Sequence, residues 1–128
     1  MTASAVSASV TAIVLSRDES ACFRCGSGIR ARMRGLDWSI HHRRPRGAGG
    51  SRLPWVNRPA NLLTLCGSGV TGCHGWVESN RDRAREEGFL VPLNGLALPA
   101  DVMVRHHMWG PALLGDDGSL SFVGGGAL

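Results

Sequence analysis

NLLTLCGSGVTGCHGWVESNRDRAREEG, residues 61–88, changes character twice along its length. It opens on a short apolar run, Asn61 to Cys66, which reads as a buried strand or turn. A slack Gly-Ser-Gly follows, and Thr71 then stands where a helix N-cap belongs. From His74 onward the pattern suits a helix, and Gly88 supplies its stop. His74 and Glu78 lie four apart and share one face of that helix, while Trp76 and Val77 turn toward the core. The stretch therefore predicts a strand that feeds a helix, with two cysteines across the junction.

Working outward, the 128 residues suffice for one compact domain with a modest core. Eighteen glycines and six prolines imply many loops, and three Phe with four Trp leave few large anchors. Something besides apolar burial is needed, and the four cysteines are the candidates. Upstream, Val10, Ile13 and Val14 recur at helical spacing, so a short helix is expected over Ser9 to Arg17 after a small, polar lead. ACFRCGSG reads as a turn, Ile29 to Ile40 as a strand or two of a hairpin, and residues 43–60 as a long loop. Downstream, FLVP and LALP are short apolar pieces, and ALLGDDGSLSFV looks like a terminal hairpin with an Asp-Gly turn. No basic residue precedes Arg17, unlike a secretory signal, and no run is long enough to span a bilayer. A reducing, cytoplasmic location is the expectation.

All 14 basic residues are arginine, and nine of them fall between residues 22 and 60, where Asp37 is the only acid. A GC-rich genome would explain the choice of arginine but not the clustering. A polyanion is the natural partner of such a window.

The cysteines come as Cys22-x2-Cys25 and Cys66-x6-Cys73. A tight pair offers two thiolates to one ion, and a second pair completes a tetrahedral shell. Zinc is the preferred reading; two disulfides or four free thiols are the alternatives. The second gap is wider than usual, and Gly67, Ser68 and Gly69 give the slack to close it. The site would clamp the turn that starts the domain to the strand that leads into the helix.

CFRCG, WSIHHRRPRG, NLLTLCGSG and GCHGWVE, in that order across residues 20–80, together resemble the HNH endonuclease family. The nearest likeness is to the small zinc-containing HNH nucleases of bacteriophages. The resemblance implies an α+β fold. Its centre is a small ββα-metal core stabilised by a four-cysteine zinc site, with a short N-terminal helix and a C-terminal β extension. The matching segments divide the chain into residues 1–19, the lead and short helix; 20–88, the nuclease domain; and 89–128, the extension. By matching position, His41 and His74 hold one divalent cation (Mg²⁺, Mn²⁺ or Ni²⁺). His42 is the general base, and Asn61 fixes its imidazole through a hydrogen bond. Glu78 sits where some members place a further ligand, direct or through water. Cys22, Cys25, Cys66 and Cys73 hold structural zinc.

Phosphodiester hydrolysis independently favours that division of labour. It needs a base titrating near neutrality, which histidine supplies, and a cation beside the phosphate. Neighbouring strand residues point to opposite sides, so His41 and His42 suit two different jobs. Arg43, Arg44 and Arg46 follow at once, and at least one is expected to clamp phosphate. The expected function is metal-dependent DNA cleavage of low sequence specificity by a monomer. Terminase or packaging proteins are the further partners that the phage resemblance suggests. The alternative is a non-catalytic, zinc-stabilised DNA-binding accessory protein. His106-His107 reads as a surface pair, the tryptophans as packing residues, and Asp116-Asp117 as turn chemistry.

Overall fold

The computed structural model describes residues 5–45, 53–92 and 97–123. The expected first helix forms over Ala8–Arg17 (α1), with the Ser7 hydroxyl accepting the Val10 N–H as its cap. It buries Val14 and Thr11 and ends on a pair that ties it to the rest of the chain. The Arg17 guanidinium donates to the carbonyls of Pro59 (2.7 Å) and Leu62 (2.6 Å). The Asp18 carboxylate takes Arg17 Nε at 2.8 Å and the Thr64 N–H at 2.9 Å. Side chains of both residues are essentially sealed from solvent. Burying charge without such partners would be costly, so the fully satisfied pair fixes where the helix docks.

The second element is shorter than expected. Residues 29–37 are turns, and the strand is confined to Trp38–His42 (β1). It runs antiparallel to Leu62–Cys66 (β2), with His42 opposite Leu62 and Trp38 opposite Cys66. A 3-10 turn at Pro59–Asn61 leads into β2. After β2 come Gly72–Ser79 (α2) and Arg81–Glu86 (α3), where the sequence suggested one helix. Asn80 divides them. Its backbone N–H and side-chain amide both donate to the Trp76 carbonyl, capping α2 and turning the chain before α3. Thr71 does sit at the N-cap of α2, yet its hydroxyl accepts the Ser68 N–H in the preceding turn. Gly88 ends α3 with φ +86°, and any Cβ there would strike the Met103 carbonyl.

Val104–His106 (β3), Gly110–Leu114 (β4) and Leu120–Phe122 (β5) form a second antiparallel sheet, ordered β3-β4-β5. Its last hairpin is the one expected, with Asp117 accepting the Ser119 N–H in the turn. The architecture is α+β: helices packed against two small antiparallel sheets. One core joins them, with Leu63, Leu65, Val77, Ala84, Phe89, Val104 and Leu114 buried together with Phe23 and Cys22.

Candidate metal and nucleic-acid site

Two clusters of ligating side chains meet at α2. The first contains Cys22, Cys25, Cys66 and Cys73, whose sulfurs all lie within 4.8 Å of one another. Cys25 and Cys66 are 3.8 Å apart, and no disulfide links any of the four. A tetrahedron with metal–sulfur bonds of about 2.3 Å has edges of about 3.8 Å, so the separation suits a shared ion. Two chain reversals create the cluster. Gly26 (φ +82°) follows the first pair; Gly67 (φ +85°) follows Cys66, at a point where a Cβ would collide with the Thr71 carbonyl. The long gap between Cys66 and Cys73 closes through this turn, and the Cys73 N–H then donates to the Cys66 sulfur. Shared hydrogen bonding with Cys73, followed by burial, holds the Cys22 thiol well above its ordinary pKa. Burial raises that of Cys66. Cys22 and Cys66 therefore resist ionising without a cation, and the donor set could hold a structural metal ion such as zinc.

The second cluster is His41, His74 and Glu78, one ligating atom from each lying within 4.8 Å of the others. Strand alternation sends Ser39 and His41 to the same face of β1, against α2. His41 is fully buried, and its Nε2 lies 2.7 Å from the Phe89 carbonyl. A carbonyl only accepts, so Nε2 carries the hydrogen and Nδ1 keeps the lone pair. Burial pushes the His41 pKa down to about 3, leaving a neutral imidazole at any physiological pH. His74 is oriented in the complementary way. Its Nδ1 lies 2.6 Å from the Ser39 hydroxyl, which donates onward to the Gly67 carbonyl at 3.3 Å. That chain fixes the proton on Nδ1 and frees Nε2 as a ligand. Burial lowers the His74 pKa, and Glu78 partly opposes it. Glu78 is exposed and pairs with Arg81 at 2.8 Å.

A cleft of about 580 Å³ lies over this cluster, lined by Arg34, His41, His42, His74 and Glu78. His42 points to the other side of β1 from His41 and contacts Asn57, its Nε2 being 2.8 Å from Oδ1. The amide oxygen accepts, so the lone pair of this imidazole sits on Nδ1.

Two expectations are corrected here. Asn61 does not hold the His42 ring. It is wholly buried, its Oδ1 accepting the Arg44 N–H and its Nδ2 donating to the carbonyls of Val56 and Arg44. It thereby ties together the two ends of the loop that follows β1. Asn57 has the contact that had been expected of Asn61. Arg43 is no phosphate clamp. Its side chain is entirely buried and donates to the carbonyls of Gly88, Ala60, Pro99 and Val102 at 2.6–3.0 Å. The alternation that buries His41 continues to Arg43, which explains why an arginine faces inward. Burial lowers its pKa to about 9, still charged at neutral pH.

Arg44 lies with its guanidinium 5.3 Å from the Trp55 ring centroid, and Arg46 falls outside the described residues. Among the described residues, Arg34 is the arginine that lines the cleft. Three contributors to the site, Ser39, Asn57 and Arg34, were not singled out by the sequence. Alternation with His41 was the available signal for Ser39, and nothing comparable marked the other two. No family model, curated protein or solved structure matches the chain.

Proposed function

We propose that the chain is a metal-dependent endonuclease of the HNH type, hydrolysing DNA phosphodiesters within a ββα-metal core. The observation that carries this reading is the convergence of His41, His74 and Glu78 beside His42 in one cleft. The His-Asn-His order of the motif and the arginine-rich composition add support. Zinc on the four cysteines is the structural ion in this reading. His41 Nδ1, His74 Nε2 and the Glu78 carboxylate are the groups that would hold the second, divalent cation. That cation, when bound, neutralises charge on the phosphate and on the departing 3′ oxygen.

The remaining steps belong to the protein. His42 Nδ1 takes a proton from water as the water oxygen bonds to phosphorus. The bond from phosphorus to the 3′ oxygen breaks, leaving a 5′ phosphate and a 3′ hydroxyl after protonation. Asn57 holds the His42 ring in the tautomer the reaction requires, and Arg34 faces the phosphate from across the cleft. With few groups to read base edges, affinity rests on phosphate contacts and falls steeply with salt. A setting beside packaging proteins of a terminase type follows from the phage resemblance.

Purified, zinc-loaded protein should nick or cut plasmid DNA with Mg²⁺, Mn²⁺ or Ni²⁺. His42→Ala should abolish this while zinc content and fold stay unchanged. Plasmid left intact by the wild type under all three cations sinks the proposal. One observation favours a binding-only module instead: Arg81 already engages the Glu78 carboxylate. Such a module would bind DNA equally well with and without the added cation, and cut under neither condition.

A further inference from the structure

A second cleft of about 530 Å³ opens between the first cysteine turn, α3 and β3. Phe89 connects the two places, since its carbonyl contacts His41 and its residue also lines this cleft. The lining brings together Arg24, Arg83, Arg105, His106 and His107 from three separate segments, with Glu87 as the only acid among the described residues. Glu87 already lies 3.6 Å from Arg83. The three guanidiniums against one carboxylate leave two positive charges in excess before either histidine is counted.

The cations are built into place. The Arg24 guanidinium lies 3.7 Å over the Trp76 ring and reaches the Cys73 sulfur at 3.5 Å. Its Nε is buried, with no hydrogen-bond partner among the described residues. An incoming oxygen could satisfy it. The His107 ring packs against Gly26 so closely that a Cβ there would come within 2.6 Å of Nδ1. The His106 Nδ1 accepts the N–H groups of Met108 and Trp109, which leaves its Nε2 as a donor. The Arg105 side chain is exposed, with no ion-pair partner among the described residues. A metal would find little here, because no third ligand joins the two histidines among the described residues. Convergent donors with excess positive charge suit an anion.

We propose that this cleft is a phosphate-binding site that seats a backbone phosphate of the nucleic acid away from the reacting one. The choice of nucleic acid as the source rests on the reading of the chain as a DNA-cutting enzyme; the preference for a phosphate group does not. A strand lying over His42 would be gripped at a second point. The protein would thereby fix the direction of the backbone without reading bases.

Two measurements test this on the zinc-loaded protein without added divalent cation. Imidazole resonances of His106 and His107 are followed by nitrogen-edited NMR during titration with inorganic phosphate. Binding of a fluorescent DNA duplex is followed by anisotropy at several salt concentrations. The expected result is a saturating shift of the two histidines with phosphate, absent in Arg105→Ala. Duplex affinity in that variant should fall about tenfold, with the slope of log affinity against log salt reduced by about one. His107→Gln should weaken binding in the same direction. A phosphate shift with unaltered duplex affinity in Arg105→Ala would overturn the nucleic-acid assignment and leave a site for free phosphate groups. No shift and no loss of affinity would overturn the site altogether. A failure to cleave plasmid alters neither readout, so failure of the nuclease reading and failure of this site are told apart.

Discussion

Arg43 offers the sharpest contrast between the basic loop expected from the sequence and the buried tie found in the fold. Arg43→Leu removes the donors from four carbonyl groups, those of Gly88, Ala60, Pro99 and Val102. The Pro99 carbonyl keeps the Val102 N–H at 3.2 Å. A buried acceptor left without its partner costs about 1–3 kcal/mol, so the other three sum to at least about 3 kcal/mol. Removing a buried charge offsets part of that sum. A net loss of about 3–5 kcal/mol is expected. Against a typical domain stability of about 5–15 kcal/mol, that brings the protein close to unfolding at ambient temperature. The midpoint of thermal unfolding should drop by roughly 10–20 °C. Arg43→Lys keeps the charge but not the planar fork and should recover only part of the loss. Urea unfolding of zinc-loaded protein, followed by circular dichroism, reads the difference. A variant within about 1 kcal/mol of the wild type that nevertheless loses DNA affinity tenfold would refute the reasoning and make Arg43 a phosphate ligand after all.

Ser39→Ala removes the partner of His74 Nδ1, so manganese or nickel affinity at the His41–His74–Glu78 cluster should fall about 10- to 100-fold by calorimetry, with zinc content unchanged. Stripping metal from the four cysteines should unfold the domain, because structural zinc contributes about 10–16 kcal/mol in such sites, as much as the whole folding stability; loss of far-ultraviolet dichroism on chelation, reversed by zinc, checks this. Burial holds the His41 pKa near 3 in the folded chain, against 6.5 ordinarily. Its contribution is therefore complete above pH 6.5 and lost as the pH falls from there toward 3. In His41→Gln the acid-side slope of stability against pH should be shallower than in the wild type.

Much of this arrangement was legible before the fold was known, and the reasons differ by element. α1, β2 and the terminal hairpin follow from local periodicity and turn chemistry, which a short window contains. The cysteine spacing and the two histidine motifs brought into view the side chains that cluster. The break at Asn80 was not legible, because an asparagine within a helical pattern gives no sign that its amide will cap the preceding turn. Asn61 and Asn57 present the same chemistry four residues apart, and only the path of the loop decides which one meets His42. Arg43 was misread for a different reason. A run of arginines looks uniformly solvated, whereas the carbonyls that recruit Arg43 come from residues 60 to 102 and have no signature of their own.

Cys73 and His74 are consecutive residues at the start of α2, one facing each cluster. A single helical turn therefore serves as the shared wall of the two clusters of ligating side chains. An ion drawn onto the four sulfurs would seat that turn and, with it, the imidazole next door.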